Sequence, residues 1–226
     1  VGGDDGSRLI SLAEASLITS EYLALSHCWG KGITLRTTTT TLDSFRISIA
    51  WESLPKTFQH AIQVTRELGF GFLWIDSLCI IQDDPEDWNV ESAKMAGIYN
   101  IATLTIMAAS ASDSQGGCFQ SPSPDVEAVH IPYTAGDGTT ELSISLSQPP
   151  LGYRKAVSLG PLFQRAWVFQ EQLLSKRKLI FAKDQLYWDC NGGIISESRL
   201  PDDFDKFEPD EFDEWRQISS GIFTDA

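Results

Sequence analysis

LPKTFQHAIQVTRELGFGFLWIDSLCIIQDDPEDWNVESAKMAGIYNIATLTIMAA, residues 54–109, changes its periodicity several times within one quotation. Over 53–69 apolar side chains return at helical spacing (Phe58, Ala61, Ile62, Thr65, Leu68). Pro55 suits the first turn of that helix, and Gly69 is a natural stop. Residues 72–76, FLWID, form a short apolar run fit for a buried strand, and Asp76 interrupts it. An ionised carboxylate in such a place is costly unless it is paired or hydrogen-bonded. A second helix is predicted over 85–102, opened by Pro85, Glu86 and Asp87, which favour a helix N-terminus. TLTIMAA, 103–109, is a strand again.

Upstream, YLALS at 22–26 reads as another buried strand and ends in HCWGKG. Residues 22–109 therefore read strand, helix, strand, helix, strand, the pattern of an α/β fold with a mainly parallel sheet. The 73–81 segment is expected to be a central strand with its exit. The Thr run 37–41 is a loop or a helix entry. Residues 110–127 are rich in Ser, Gly and Pro and read as loop. Short β segments at 128–133 and 141–146 flank AGDGT, a hairpin turn. A helix is expected over 160–175, and a second hairpin joins 178–182 to 185–190 around Lys183 and Asp184. From Glu197 onward the chain is acidic and punctuated by Phe, a peripheral extension.

The chain has 226 residues, 42% apolar and 11% aromatic, enough to build a substantial core. It carries 17 basic and 31 acidic side chains, a formal charge of −14. Such a surface repels phosphate backbones, so no nucleic-acid partner is expected. No apolar run is long enough to span a membrane, and the first residues lack the pattern of a signal peptide. A chain that starts with Val is expected to be a piece of a longer protein. Four widely spaced cysteines and three histidines, with no CxxC pair, suggest free thiols in the cytoplasm and no metal site. No GxxxxGK[ST] phosphate loop occurs.

Candidate chemistry gathers at the strand exits, because ligands in parallel sheets bind outside the carboxyl ends of the strands. Ser26, His27, Trp29 and Gly30 end the first strand, and Asp76, Asp83 and Asp84 follow the second. Glu91 falls on the apolar stripe Trp88, Met95, Ile98, Tyr99, Ala102 of the second helix, facing the sheet. The bland alternative is a helix-edge carboxylate that reaches solvent. In the later helix, Trp167, Gln170, Glu171 and Leu174 share one face, and a buried Gln170–Glu171 network tying helix to sheet is as good a reading as a catalytic one. Arg165 is a partner for an aspartate, in the same structural capacity. A thiol set of Cys79, His27 and Asp76 is a further reading, set against the usual inertness of a cysteine in a buried strand.

Taken together, YLALSHCWG, the long block from Leu54 to Ala102, and RAWVFQEQLLSKRKLIF resemble the signature blocks of fungal HET (heterokaryon incompatibility) domains, in the same order from about residue 20 to about 190. The resemblance implies a single HET domain over 1–226: a core at about 20–110, a hairpin and helix elaboration at about 128–190, and an acidic extension at about 197–226. It implies a cell-death response at the fusion of incompatible cells, a form of allorecognition and innate immunity, and a distant kinship with Toll/interleukin-receptor (TIR) domains and their flavodoxin-like sheet. Many TIR domains cleave NAD with a helix-borne glutamate. DWNVES looks like the TIR motif of Trp followed by Glu, so the resemblance implies Glu91 as the catalytic residue, with Asp76 and Asp87 in reserve. Ser26, His27, Trp29, Gly30, Asp83 and Trp88 would then bind substrate, and NAD would be consumed rather than retained as a cofactor. The alternative is a non-enzymatic module that self-associates or answers an upstream sensor.

Overall fold

Strand β1 (Leu23–Ser26) is buried at every residue and runs between two parallel neighbours, β2 (Leu73–Ile75) and β3 (Leu104–Met107). The structure, a computed structural model, describes residues 7–10, 21–32, 35–119, 129–134, 141–146 and 152–198. Beyond β3 the sheet continues with β6 (Arg177–Phe181), parallel to β3, and then with β7 (Leu186–Cys190) and β8 (Gly193–Ser196), both antiparallel. The strand order is β2-β1-β3-β6-β7-β8. β4 (Val129–Thr134) and β5 (Glu141–Leu146) pair separately as an antiparallel ribbon. The expected mainly parallel α/β sheet with hairpins in the C-terminal half is therefore present. The AGDGT turn, residues 120–127 and the acidic stretch from 199 onward lie outside the described residues.

The expectation of a central strand at 73–81 needs correction. β2 lies at the sheet edge, and the strand stops at Ile75. Asp76 opens a single helical turn, α3 (Asp76–Cys79), so the acid does not sit inside a strand at all. β1 and β3 are the inner strands of the four-stranded parallel part of the sheet, and β1 is buried on both of its faces.

Side chains alternate across a strand. Leu23, Leu25, Leu73, Ile75, Leu104 and Ile106 pack on one face against Phe58, Ala61 and Ile62 of α2 (Lys56–Glu67). A preceding short helix, α1 (Leu42–Ile47), adds Leu42 and Phe45 to the edge of that core. On the opposite face Ala24 meets Tyr99 of α4 (Pro85–Ile101). Met107 and Ile180 meet Val168 of α5 (Ala166–Leu174) there. Asp84 caps α4 by accepting from the Glu86 and Asp87 amides at 2.9 and 3.3 Å.

Two helix faces differ from the sequence reading. α4 buries only Tyr99 fully, and Trp88 is 44% exposed, so the apolar stripe does not lie flat on the sheet. The stretch 160–175 is two elements, a 3-10 turn at Pro161–Gln164 and then α5, separated by an extended Arg165. The break lets Leu162 and Val168 enter the same core. It also turns α5 so that Val168, Glu171 and Gln172 face inward while Trp167 stays 52% exposed.

Lys178 and Asp189 face one another across β6 and β7 as a buried ion pair, 3.1 Å apart. Lys178 Nζ also donates to the Gln172 carbonyl, and Tyr153 donates to Asp189, both at 3.2 Å. Removing one partner of such a pair strands the other charge. We expect Lys178→Met to cost about 3–5 kcal/mol in chemical denaturation, with most of that recovered in Lys178→Met/Asp189→Leu. A single variant as stable as the parent contradicts this.

Candidate functional site

The alternation along β1 continues past its end. Ser26 turns toward α5. His27 turns the other way and meets the Phe58 ring of α2 edge-on, with centroids 4.9 Å apart. The backbone here is held from several sides. The Ser26 carbonyl accepts from the Ala108 amide at 3.0 Å, and the His27 carbonyl accepts from the Arg165 guanidinium. The Cys28 and Trp29 carbonyls accept from the Ser114 hydroxyl at 3.4 and 3.3 Å. His60 Nδ1 in turn accepts from the Cys118 and Phe119 amides at 3.0 and 3.1 Å, holding the β3-exit loop that carries Ser114. Gly30 closes the turn with φ +82°, and a Cβ there would lie 2.3 Å from Asp113 Cβ. Glycine is required on both counts.

Asp76 joins this turn to the β2 exit. Trp29 Nε1 donates to both of its carboxylate oxygens, at 3.1 and 2.9 Å. The Ser77 amide donates to Oδ1 at 2.7 Å, and the Gln82 side chain donates to the Asp76 carbonyl at 3.1 Å. His27 Nδ1 lies 3.9 Å from Oδ1.

The other acids of the strand exits have different occupations. Asp83 accepts from the backbone and hydroxyl of Thr39 at 2.7 and 2.9 Å, and the amide bond chiefly holds its carboxyl below the usual range. Asp87 accepts from the Ile81 amide at 2.8 Å. Glu91 pairs with Lys94, one turn along the same helix, at 2.7 Å. The structure thus brings together Ser26, His27, Trp29, Gly30, Asp76, Arg165 and Glu171. Among the described residues Glu91, Asp83 and Asp87 are engaged outside that group, and Trp88 and Trp167 stand open to solvent. Gln170 is half-buried. Cys79 Sγ faces the Ile75 amide at 3.4 Å. No group of three potential metal ligands forms among the described residues. No described helix is long and apolar enough to cross a membrane.

Six side-chain atoms among the described residues are buried with no hydrogen-bond partner: Ser26 Oγ, His27 Nδ1 and Nε2, Ser77 Oγ, Glu171 Oε2 and Gln172 Nε2. Four of them belong to that group, the fifth is on Ser77 beside Asp76, which joins the cluster, and Gln172 is one residue further along α5. Folded proteins satisfy nearly all buried polar groups, so this concentration makes the cluster the candidate site. Burial lowers the His27 pKa to about 4, against the pull of Asp76 and with the push of Arg165. Burial raises the Glu171 pKa to about 7, and Asp76 adds to the rise. Ser26 stands near enough to favour the ionised form, as do Arg165 and Tyr99, yet the Ser26 hydroxyl closes no bond of acceptable geometry. A carboxyl that titrates near neutrality can give or take a proton there. Sequence reasoning did not single out Ser77 or Tyr99. The one signal for Tyr99 is a hydroxyl on an apolar stripe, and it reaches the Leu25 carbonyl at 3.2 Å.

The two shifted groups make opposite demands on stability. The folded-state pKa of His27 is depressed from 6.5 to about 4, so the unfolded chain takes up that proton first and acidification through this window destabilises the fold. The folded-state pKa of Glu171 is raised from 4.5 to about 7, so the native state keeps that proton longer and rising pH destabilises it. Each effect amounts to about 3 kcal/mol at most, and they oppose each other where the windows overlap. Urea unfolding across the overlap should show Glu171→Gln gaining stability relative to the parent by roughly 1.4 kcal/mol per pH unit as pH rises. His27→Gln should show the reverse slope. Difference curves that are flat with pH contradict both assignments.

The heterokaryon incompatibility protein (HET) family model matches residues 22–171. No curated protein and no solved structure matches the chain. The matched region begins one residue before β1, ends on Glu171, and so contains every residue of the cluster. It covers about two thirds of the 226 residues, so the chain belongs to the heterokaryon incompatibility (HET) family.

Proposed function

We propose that this HET domain is a cell-death effector that hydrolyses NAD at the nicotinamide–ribose bond, with Glu171 as its working carboxylate. The observation that carries the reading is the gathering of unpartnered buried polar atoms at the ends of β1 and β2. In the order β2-β1-β3 the chain reverses direction across the sheet between β1 and β3, and open sheets bind ligands outside the strand ends at such a point.

The chemistry fits a carboxyl of this kind. The C1′–N bond breaks and nicotinamide leaves as a neutral molecule with the bonding pair. Positive charge builds on the ribose, as in glycoside hydrolysis. An ionised Glu171 stabilises that charge and then takes the proton released when water bonds to C1′. Ser26 and Ser77 offer hydroxyls to the sugar, and neutral His27 offers one donor and one acceptor. NAD is a substrate here and is not retained. The cytoplasm is the compartment that fits the proposal.

Purified domain incubated with NAD should release nicotinamide, followed by chromatography. Glu171→Gln should cut the rate roughly 100-fold, on the usual scale for a general base. Glu91→Gln should leave it within about twofold, since that half-buried side chain is paired with Lys94 outside the cluster. Release that is undiminished in Glu171→Gln would overturn its role, and loss in Glu91→Gln would restore the assignment that the family resemblance implies.

A second reading is self-association through α5. Trp167, Phe169 and Leu173 are large apolar residues open to solvent on this one helix. The two readings are compatible, and an upstream sensor would act through assembly. Light scattering should show a mass that rises with concentration in the parent and less so in Phe169→Ser. A monomer at every concentration contradicts this reading alone.

A further inference from the structure

Four of the cluster residues are almost sealed: Ser26 and Ser77 are 0% exposed, His27 1% and Glu171 2%. Asp76, at 9%, comes next, and the Trp29 and Arg165 side chains beyond it are half-buried. The Trp29 indole, half-buried, reaches Asp76 from the rim. No ligand of any size meets Glu171 unless something at that rim moves.

The backbone of the β1 exit is a poor candidate for that movement. Carbonyls 26 to 29 are each held, by Ala108, Arg165 and Ser114, and Gly30 is packed against Asp113. The indole is different. Its hold on the site includes one N–H shared between the two oxygens of Asp76, and a tryptophan turns about two side-chain bonds without disturbing its backbone. We propose that the Trp29 indole is a gate over the cluster, latched onto Asp76 by its N–H, and that opening this latch is the step that admits substrate.

The inference deepens the function proposed above, since it concerns access to the same site. It assigns Asp76 two tasks. The carboxylate anchors the start of α3 through the Ser77 amide, and it receives the gate. A carboxylate accepting from two donors is strongly held, so the closed state is the resting state. Assembly or a sensor can act by drawing the indole away, with no change in the sheet. Trp29 is a positioning residue in this account, because it acts on access and not on the bond that breaks.

Carboxyl footprinting tests the gate without any need for turnover. The whole chain is treated with a water-soluble carbodiimide and glycine ethyl ester, and labelling is quantified by mass spectrometry at Glu171 and at Asp189. Asp189 is 1% exposed and lies on β7 in its own ion pair, so it reports general loosening of the fold. Trp29→Phe keeps an aromatic ring and removes the N–H, while Asp76→Asn weakens the acceptor. The ratio of Glu171 to Asp189 labelling should rise about tenfold in Trp29→Phe and by less in Asp76→Asn, as expected for the loss of a charge-assisted bond. A rise in either variant supports the latch, and a ratio that stays flat in both overturns it. A flat ratio leaves NAD cleavage standing. A raised ratio with no nicotinamide release from parent or variants removes the hydrolase and keeps the gate.

Discussion

The Asp76 carboxylate ties the exits of two neighbouring strands together, and the arrangement of the site depends on it. It receives the Trp29 indole from the end of β1 and the Ser77 amide from the start of α3. Its own carbonyl receives Gln82 from the segment that leads into α4. Hydrogen bonds to a charged acceptor are each worth roughly 1.5–3 kcal/mol when well shielded. Trp29 and Gln82 come to Asp76 from outside its own turn, so these bonds fix relative positions as well as local structure.

Around that anchor the polar groups fall into two populations. Asp83, Asp84, Asp87 and Glu91 are each engaged by a backbone amide or a neighbouring lysine, and their partners account for their presence. Ser26, His27, Ser77 and Glu171 are buried more deeply and have unpartnered atoms. The cost of burial appears directly in the two shifted titrations, His27 kept neutral and Glu171 kept protonated into the neutral range. Proteins break the rule of polar satisfaction mainly at functional sites, and offset the loss elsewhere. Here the offset is the core of α2 against β1, β2 and β3.

Local signals in the sequence carried over well. The alternation from 22 to 109, the Asp84 and Pro85 start of α4, and the β6–β7 hairpin all follow from periodicity and from terminal residues whose chemistry is short-range. Long-range placement did not carry over. Whether 73–75 is central or at the edge depends on which strands pair with it, and nothing within the segment states that. The sequence pattern sets the face of α5 one residue off, because Trp167 is apolar, whereas the extended Arg165 turns Val168 inward instead. The sequence puts Glu171 on the inner face and leaves a structural network and a catalytic role equally open. That its Oε2 goes without a hydrogen bond is a property of the packed state and is not written in its neighbours. Glu91 matched a motif, but Lys94 three residues on was the more informative neighbour.

The central claim is that Glu171 is a buried carboxyl, with its Oε2 left without a hydrogen bond, poised near neutrality. The most direct measurement is an NMR pH titration of the Glu171 side-chain carboxyl carbon, assigned by comparison with Glu171→Gln. The account predicts a midpoint near pH 7, as burial imposes. A midpoint at the ordinary value of 4.5 would contradict it, because the carboxyl would then be solvated or paired in solution.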